Sequence, residues 1–255
     1  MSKKTKKIAL LGDVHANLPA LEAVITHAQN LGVETFWNIG DFVGYGAFPN
    51  EVVKRMRKKN FVSIIGNYDL KVLNFPLKDD NWREKKHPLK YLAFKWAYEN
   101  LSPKSLEFLR SLPEERQLKT RQLNFLLVHG SPVSNEELLE PGTPERRLLE
   151  LKTLVKEKFS TDFAAIICGH SHQPFTRRIE NTLFINTGSV GRPDDGSPRA
   201  AYAILQIDKN GLHAFHYRLN YDVDDAVAAI RRKNLPEAFA KMMHQGRDLE
   251  TVLKN

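Results

Sequence analysis

The sequence predicts an α/β domain built around parallel strands, and three patterns carry that prediction. Short apolar runs alternate with amphipathic helical stripes in the first half. The last third turns to extended runs broken by one tight turn. The side chains best suited to hold metal fall just beyond the ends of apolar runs, where an open parallel sheet gathers its ligands.

Taken in order, Ile8–Leu11 is a short strand. Asn17 can cap the helix after it, Pro19 is tolerated in the first turn, and Gly32 ends it. Leu21, Val24, Ile25 and Ala28 recur at i, i+3, i+4 and i+7 and form its buried face. Thr35–Ile39 is a second strand, Pro49–Lys59 a helix with Val52, Val53 and Met56 inward, and Phe61–Ile65 a third strand. Two successive strand–helix–strand crossovers imply a parallel, right-handed arrangement. Phe75–Pro88, with alternating charges and little apolar content, reads as a loop or lid. Leu89, Leu92, Ala93 and Trp96 form another helical stripe, and a short helix runs from Ser102 to near Pro113. Strands follow at Leu123–Val128 and Phe163–Cys168, around a helix from Thr143–Pro144 to about Phe159. Leu183–Asn186 and Ala200–Ile207 are strands, and the turn Asp208-Lys209-Asn210-Gly211 returns Leu212–Leu219 as a hairpin. From Asp222 the pattern is helical, with Val223, Ala226, Val227 and Ile230 on one face. That segment has three open uses: packing on the domain, covering a site, or supporting a homo-oligomer.

Composition narrows the class. At 255 residues, 42% hydrophobic and 27% charged, the chain can bury a sizeable core. There is no repeat or obvious linker, so residues 1–255 read as one domain with 221–255 as a helical extension. No 18-residue apolar stretch offers a membrane span, and the apolar run after the N-terminal lysines is too short for a signal peptide. Cys168 is the sole cysteine, so no intramolecular disulfide forms, and a reducing cytoplasm is expected. The net charge of +8 would suit nucleic acid, but the lysines lie in what reads as a frayed N-terminal tail and on the outer part of a helix (Lys54, Arg55, Arg57, Lys58, Lys59), so a small molecule is the favoured partner.

The candidate chemistry collects at five strand ends. They are Gly12-Asp13-Val14-His15, Gly40-Asp41, Gly66-Asn67-Tyr68-Asp69, Val128-His129-Gly130 and Gly169-His170-Ser171-His172. Spacing of i and i+2 lets Asp13 with His15, and His170 with His172, face one side. Two Asp, one Asn and four His suit borderline divalent ions such as Mn, Fe, Zn, Ni or Co rather than Mg or Ca alone. Seven groups exceed one tetrahedral site and suit two ions roughly 3.5–4 Å apart sharing a carboxylate. Each residue alone is an ordinary cap or turn residue; five strand ends supplying such groups together are not. His27, His213, His216 and His244 read as ordinary surface or core histidines, as does His87 with the added option of bordering the site.

These motifs, in this order over residues 8 to about 192, resemble the calcineurin-like metallophosphoesterases. The resemblance implies a four-layer α/β/β/α sandwich and a dinuclear centre. One ion would take Asp13, His15 and His172, the other Asn67, His129 and His170, with Asp41 bridging them. It implies phosphoester hydrolysis by a metal-activated hydroxide attacking phosphorus in line. Many members have histidine where this chain has Tyr68, and a phenol with a pKa near ~10 is a poorer acid. Tyr68 and Asp69 are therefore the candidate catalytic pair, and the expected substrate is a phosphodiester or nucleotide-type ester. Asp69 either orients Tyr68 or caps the next segment. Asn186-Thr187-Gly188-Ser189-Val190-Gly191-Arg192 resembles the family's Asn-x-Gly-Ser loop. Asn17, Gly188, Ser189 and Arg192 are the candidate substrate contacts, with a tight turn and a solvated arginine as the other reading of the loop. A protein phosphatase would carry Asp-Arg-Gly after the second motif, where this chain reads Phe42-Val43-Gly44-Tyr45-Gly46. A non-catalytic scaffold would be expected to have lost ligands, and all seven are present.

Overall fold

The computed structural model describes residues 5–254, so Lys3 and Lys4 of the expected tail lie outside the described residues. Strand β1 (Lys6–Leu11) starts two residues before the apolar run. Lys6 and Lys7 thus belong to a strand, not a frayed end: Lys6 Nζ donates to Thr120 Oγ1 and Lys7 Nζ to the Leu31 carbonyl. Helix α1 (Leu18–Asn30), β2 (Thr35–Asn38), α2 (Pro49–Met56) and β3 (Phe61–Ser63) follow. Both β1–β2 and β2–β3 pair in parallel, as the crossovers require. Asn17 Oδ1 caps α1 by accepting from Ala20 N at 3.2 Å.

The next stretch departs most from expectation. Helix α3 (Asn67–Leu73) begins within the third strand-end motif, and α4 (Phe75–Lys85) occupies the segment expected to be a loop or lid. The α4 sequence has no apolar periodicity, so its helicity comes from neighbours and not from a stripe of its own. Helix α5 (Pro88–Glu99) supplies them: Trp82 packs 5.4 Å from Phe94, and Tyr91 Oη donates to Asp79. His87 does not reach the site; its Nδ1 accepts from Leu89 N and caps α5. Helix α6 (Pro103–Arg110) completes this layer.

A second sheet forms from β4 (Glu115–Thr120), β5 (Leu123–Val128), β6 (Ala165–Cys168), β7 (Phe175–Ile179) and β8 (Thr182–Asn186), in the order β4-β5-β6-β8-β7, with α7 (Glu145–Phe159) between β5 and β6. β4 and β7 carry no sequence signal because they are edge strands whose outward charges, such as Lys119 and Arg178, mask alternation. β9 (Ala200–Asp208) and β10 (Gly211–Leu219) form the expected hairpin, and β9 runs antiparallel beside β1. The first sheet is therefore β10-β9-β1-β2-β3. Helices α8 (Val223–Arg232), α9 (Glu237–Gln245) and α10 (Leu249–Lys254) end the described chain.

Alternating side chains sort into layers. Ile8, Leu10, Trp37 and Ile39 of the first sheet meet Phe125, Leu127, Ile167 and Ile185 of the second in one core. The outer face of the first sheet (Ala9, Leu11, Phe36) packs on α1 and α2, and that of the second (Leu126, Ile166, Phe184) on Leu148, Leu151 and Val155 of α7. This is the four-layer α/β/β/α sandwich. The C-terminal helices pack on it: Phe239 of α9 sits edge-on against Tyr45, 5.1 Å away. No helix of the described residues is long and apolar enough to cross a membrane.

Candidate metal centre

The carboxyl ends of β1, β2, β3, β5 and β6 open onto one rim where the two sheets meet. Asp13, His15, Asp41, His170 and His172 leave their strands with φ of 53°, 47°, 55°, 63° and 58°. Non-glycine residues rarely adopt this left-handed region, at a cost of roughly 1–3 kcal/mol each, and such residues cluster where function needs the side chain. Neighbouring backbone holds them: Asp13 N donates to Gly40 O at 3.1 Å and His15 N to Asp41 O at 3.0 Å. Two glycines leave room for the candidate carboxylates. A Cβ on Gly66 would stand 2.1 Å from Asp41 Oδ1, and one on Gly169 would stand 2.5 Å from Asp13 Oδ2.

Six of the seven predicted ligands bring ligand atoms close together, and His170 stands at the edge of the group. Asp41 Oδ2 lies 3.7 Å from His15 Nε2 and 3.5 Å from His129 Nε2. His172 Nε2 lies 3.2 Å from Asp13 Oδ1 and 3.3 Å from His15 Nε2. Asn67 Oδ1 is 3.1 Å from His129 Nε2, and the His170 ring is 5.1 Å from that of His129. In two sets, Asp13–His15–His172 and Asp13–Asp41–His129, the ligand atoms all lie within 4.8 Å of one another. Six of the seven residues are buried, and His170 is half-buried.

The donor chemistry fits a cation. His15 Nδ1 faces the Val43 carbonyl at 3.2 Å and His129 Nδ1 faces the Ile39 carbonyl at 2.8 Å, so both rings carry their proton there. Each Nε2 lone pair then points into the cluster, that of His15 at another imidazole nitrogen. Asp13 Oδ1 is buried with no hydrogen-bond donor. Buried lone pairs crowded this closely need positive charge between them. Without a metal, protons serve: against the cost of burial, the Asp41 carboxylate pushes His129 up to about 10. Burial and the Asp41 charge raise Asp69 to about 8.

Around the cluster the expectations divide. Asp69 is a cap and a tie: its carboxylate accepts from Phe42 N (2.9 Å), Val43 N (3.2 Å) and Gly66 N (3.0 Å). Three candidate substrate contacts are instead committed internally. Asn17 Nδ2 donates to Gly191 O and Tyr221 Oη, both at 2.9 Å, beyond its capping bond. Gly188 N donates to Asn186 Oδ1 at 2.9 Å, and Ser189 Oγ donates to Asp13 O at 2.7 Å while accepting from Arg192 N. Arg192 is not a solvated arginine; its guanidinium lies over the rings of Tyr45 (5.0 Å) and Tyr68 (5.8 Å) and reaches within 3.5 Å of His172 Nδ1. Tyr68 N donates to Asp41 Oδ1 at 2.8 Å, and its hydroxyl meets Tyr45 Oη at 2.9 Å. Burial, with Arg192 opposing and Tyr45 adding, holds the Tyr68 phenol well above its ordinary range.

Three further residues border the cluster. Tyr45 partners Tyr68 and Arg192. Asp194 Oδ2 sits 3.4 Å from His172 Nδ1. Glu136 Oε2 accepts from Asn67 Nδ2 at 3.0 Å. Only Tyr45, three residues from Phe42 in a glycine-flanked turn after a motif, carried any signal in the sequence.

Comparison with known proteins shows the family and the fold. Residues 7–210 match the model of the calcineurin-like phosphoesterase superfamily domain. An uncharacterised protein of Methanocaldococcus jannaschii is 32% identical over 259 positions, covering 94% of this chain and 98% of that protein. A metallophosphoesterase from Sphaerobacter thermophilus superposes with a TM-score of 0.74 at 28% identity, over 95% of this chain and 100% of that one. A hypothetical protein from Pyrococcus horikoshii OT3 superposes with a TM-score of 0.83 at 23% identity, over 94% and 98% of the two chains. With the matched span taking in all five strand-end motifs, the chain belongs to the calcineurin-like phosphoesterase superfamily.

Proposed function

We propose that this chain is a phosphodiesterase that works with two divalent transition-metal ions on a small-molecule ester. The observation that carries it is the buried crowding of lone pairs: His15 and His172 nitrogens 3.3 Å apart beside an Asp13 oxygen with no donor. Asp13, His15 and His172 would hold one ion and Asn67, His129 and His170 the other, with Asp41 shared. When bound, the ions supply activation of water and neutralisation of phosphate charge.

The chain's own groups do the rest. The Val43 and Ile39 carbonyls and the Asp194 carboxylate fix which nitrogen of His15, His129 and His172 faces inward. Arg192, braced on two tyrosine rings, presents a fixed positive charge at the rim. Tyr68 keeps its proton and offers a neutral hydrogen bond, with little acidity for an alkoxide leaving group at neutral pH. A neutral phenol brings no positive charge, which suits a singly charged diester better than a doubly charged monoester whose extra charge a histidinium at this position would offset. The described chain acts as one unit, with α9 buttressing Tyr45, and the lone buried Cys168 fits a reducing cytoplasm.

The test is metal-stripped protein to which Mn, Ni, Zn or Mg is returned, assayed on bis(p-nitrophenyl) phosphate and p-nitrophenyl phosphate. We expect metal-dependent hydrolysis with the diester preferred, and a loss of roughly 100-fold or more in Asp41→Asn. Absence of bound metal, together with no activity that Asp41→Asn removes, overturns the enzyme. Monoester preference overturns the role of Tyr68.

A further inference from the structure

Beside the metal cluster, two donors converge on one carboxylate. Asn67 Nδ2 donates to Glu136 Oε2 at 3.0 Å, and Lys71 Nζ stands 2.9 Å from Glu136 Oε1. Glu136 is 60% exposed, and Lys71 lies over the Tyr68 ring at 5.2 Å. The loop that carries Glu136 is anchored next door, where Arg147 Nε donates to Glu137 Oε1 at 2.8 Å, so this carboxylate is placed and not adrift. More positive charge lies alongside: Lys86, over Trp82 at 4.8 Å, is depressed by burial and then by the ammonium of Lys71.

An amide and an ammonium directed at one anion form an anion clamp. Asn67 turns Oδ1 toward His129, so Nδ2 points to the outer side of the cluster. A second phosphate attached to a scissile phosphate at the ions meets this clamp when it extends past Asn67.

Resting on the phosphodiesterase reading, we infer that Asn67 Nδ2 and Lys71 form a subsite for a second phosphate adjoining the scissile one, occupied in the free protein by the chain's own Glu136. The substrate class is then an ester of a di- or polyphosphate, as in nucleoside polyphosphate compounds. Glu136 competes with the incoming anion and admits only ligands charged enough to displace it.

The test is calorimetric titration of metal-loaded, full-length protein with inorganic pyrophosphate and with orthophosphate, with metal content measured for each variant. Pyrophosphate should bind at least about tenfold more tightly than orthophosphate. Lys71→Ala should erase that preference while moving orthophosphate by about twofold or less. Glu136→Gln keeps an acceptor for Asn67 but removes the competing charge, and should tighten pyrophosphate several-fold. Equal binding of the two anions, or an equal loss of both in Lys71→Ala, overturns the subsite. Metal loss in Glu136→Gln also overturns it, assigning Glu136 to the orientation of Asn67 alone. Should no ester be hydrolysed, the phosphodiesterase reading falls, while the two titrations still decide whether the clamp exists.

Discussion

Asp69 joins the turn after β2 to the turn after β3 through three backbone N–H groups. Asp69→Ala leaves all three buried without an acceptor, at roughly 1–3 kcal/mol per group. We expect a loss of about 3 kcal/mol or more in urea denaturation, with Asp69→Asn recovering part of it; a loss under about 1 kcal/mol would refute the tie. The left-handed ligands make the opposite prediction. His170 holds φ at 63° and is only half-buried, so His170→Gly should stabilise the metal-free protein by about 1 kcal/mol while cutting metal affinity. A lower melting temperature in that variant would count against stored strain. Tyr68→His should raise monoester turnover relative to diester turnover, as measured on the two nitrophenyl esters. The candidate ligands were legible because strand, glycine and metal-type side chain follow one another in the sequence. Glu136 and Asp194 were not, since their use depends on which ligand the fold sets beside them. Asn17, Gly188 and Ser189 are tied into internal hydrogen bonds, since small polar residues near a site serve turns as readily as substrates.

Among the elements, those with their own apolar period were readable, as with α1, α2 and the β9–β10 hairpin. Helix α4 shows the limit: it is helical because α5 lies beside it, through Trp82, Phe75 and the Tyr91–Asp79 bond. Such an element should open locally more often than α1, whose buried face runs its whole length. Hydrogen exchange should find the amides of residues 75–85 exchanging faster than those of residues 18–30, and comparable protection would contradict this account. Edge strands β4 and β7 were hidden for a related reason, because pairing on one side leaves their charges free to face water.

Across the whole molecule, the second sheet is one continuous stretch, from β4 to β8, set between β3 and β9 of the first. Asp13, His15, Asp41 and Asn67 hang from the first sheet, and His129, His170 and His172 from the second. A metal ion held between them would bind the folded state alone, so metal present at 100 times its Kd should add about 2.7 kcal/mol of stability, read as a rise in Tm. Removing metal with a chelator should reverse it. The ligand set also works as a vernier between two plates. A strand advances about 3.3 Å per residue, so even a fraction of one step between the sheets takes a ligand out of reach. Trp37 and Phe125 meet across that gap at 5.2 Å, far back along the strands that deliver Asp41 and His129. Phe125→Leu alters no ligand, yet it should weaken metal binding. The affinity for an ion becomes a gauge of how truly two sheets are aligned.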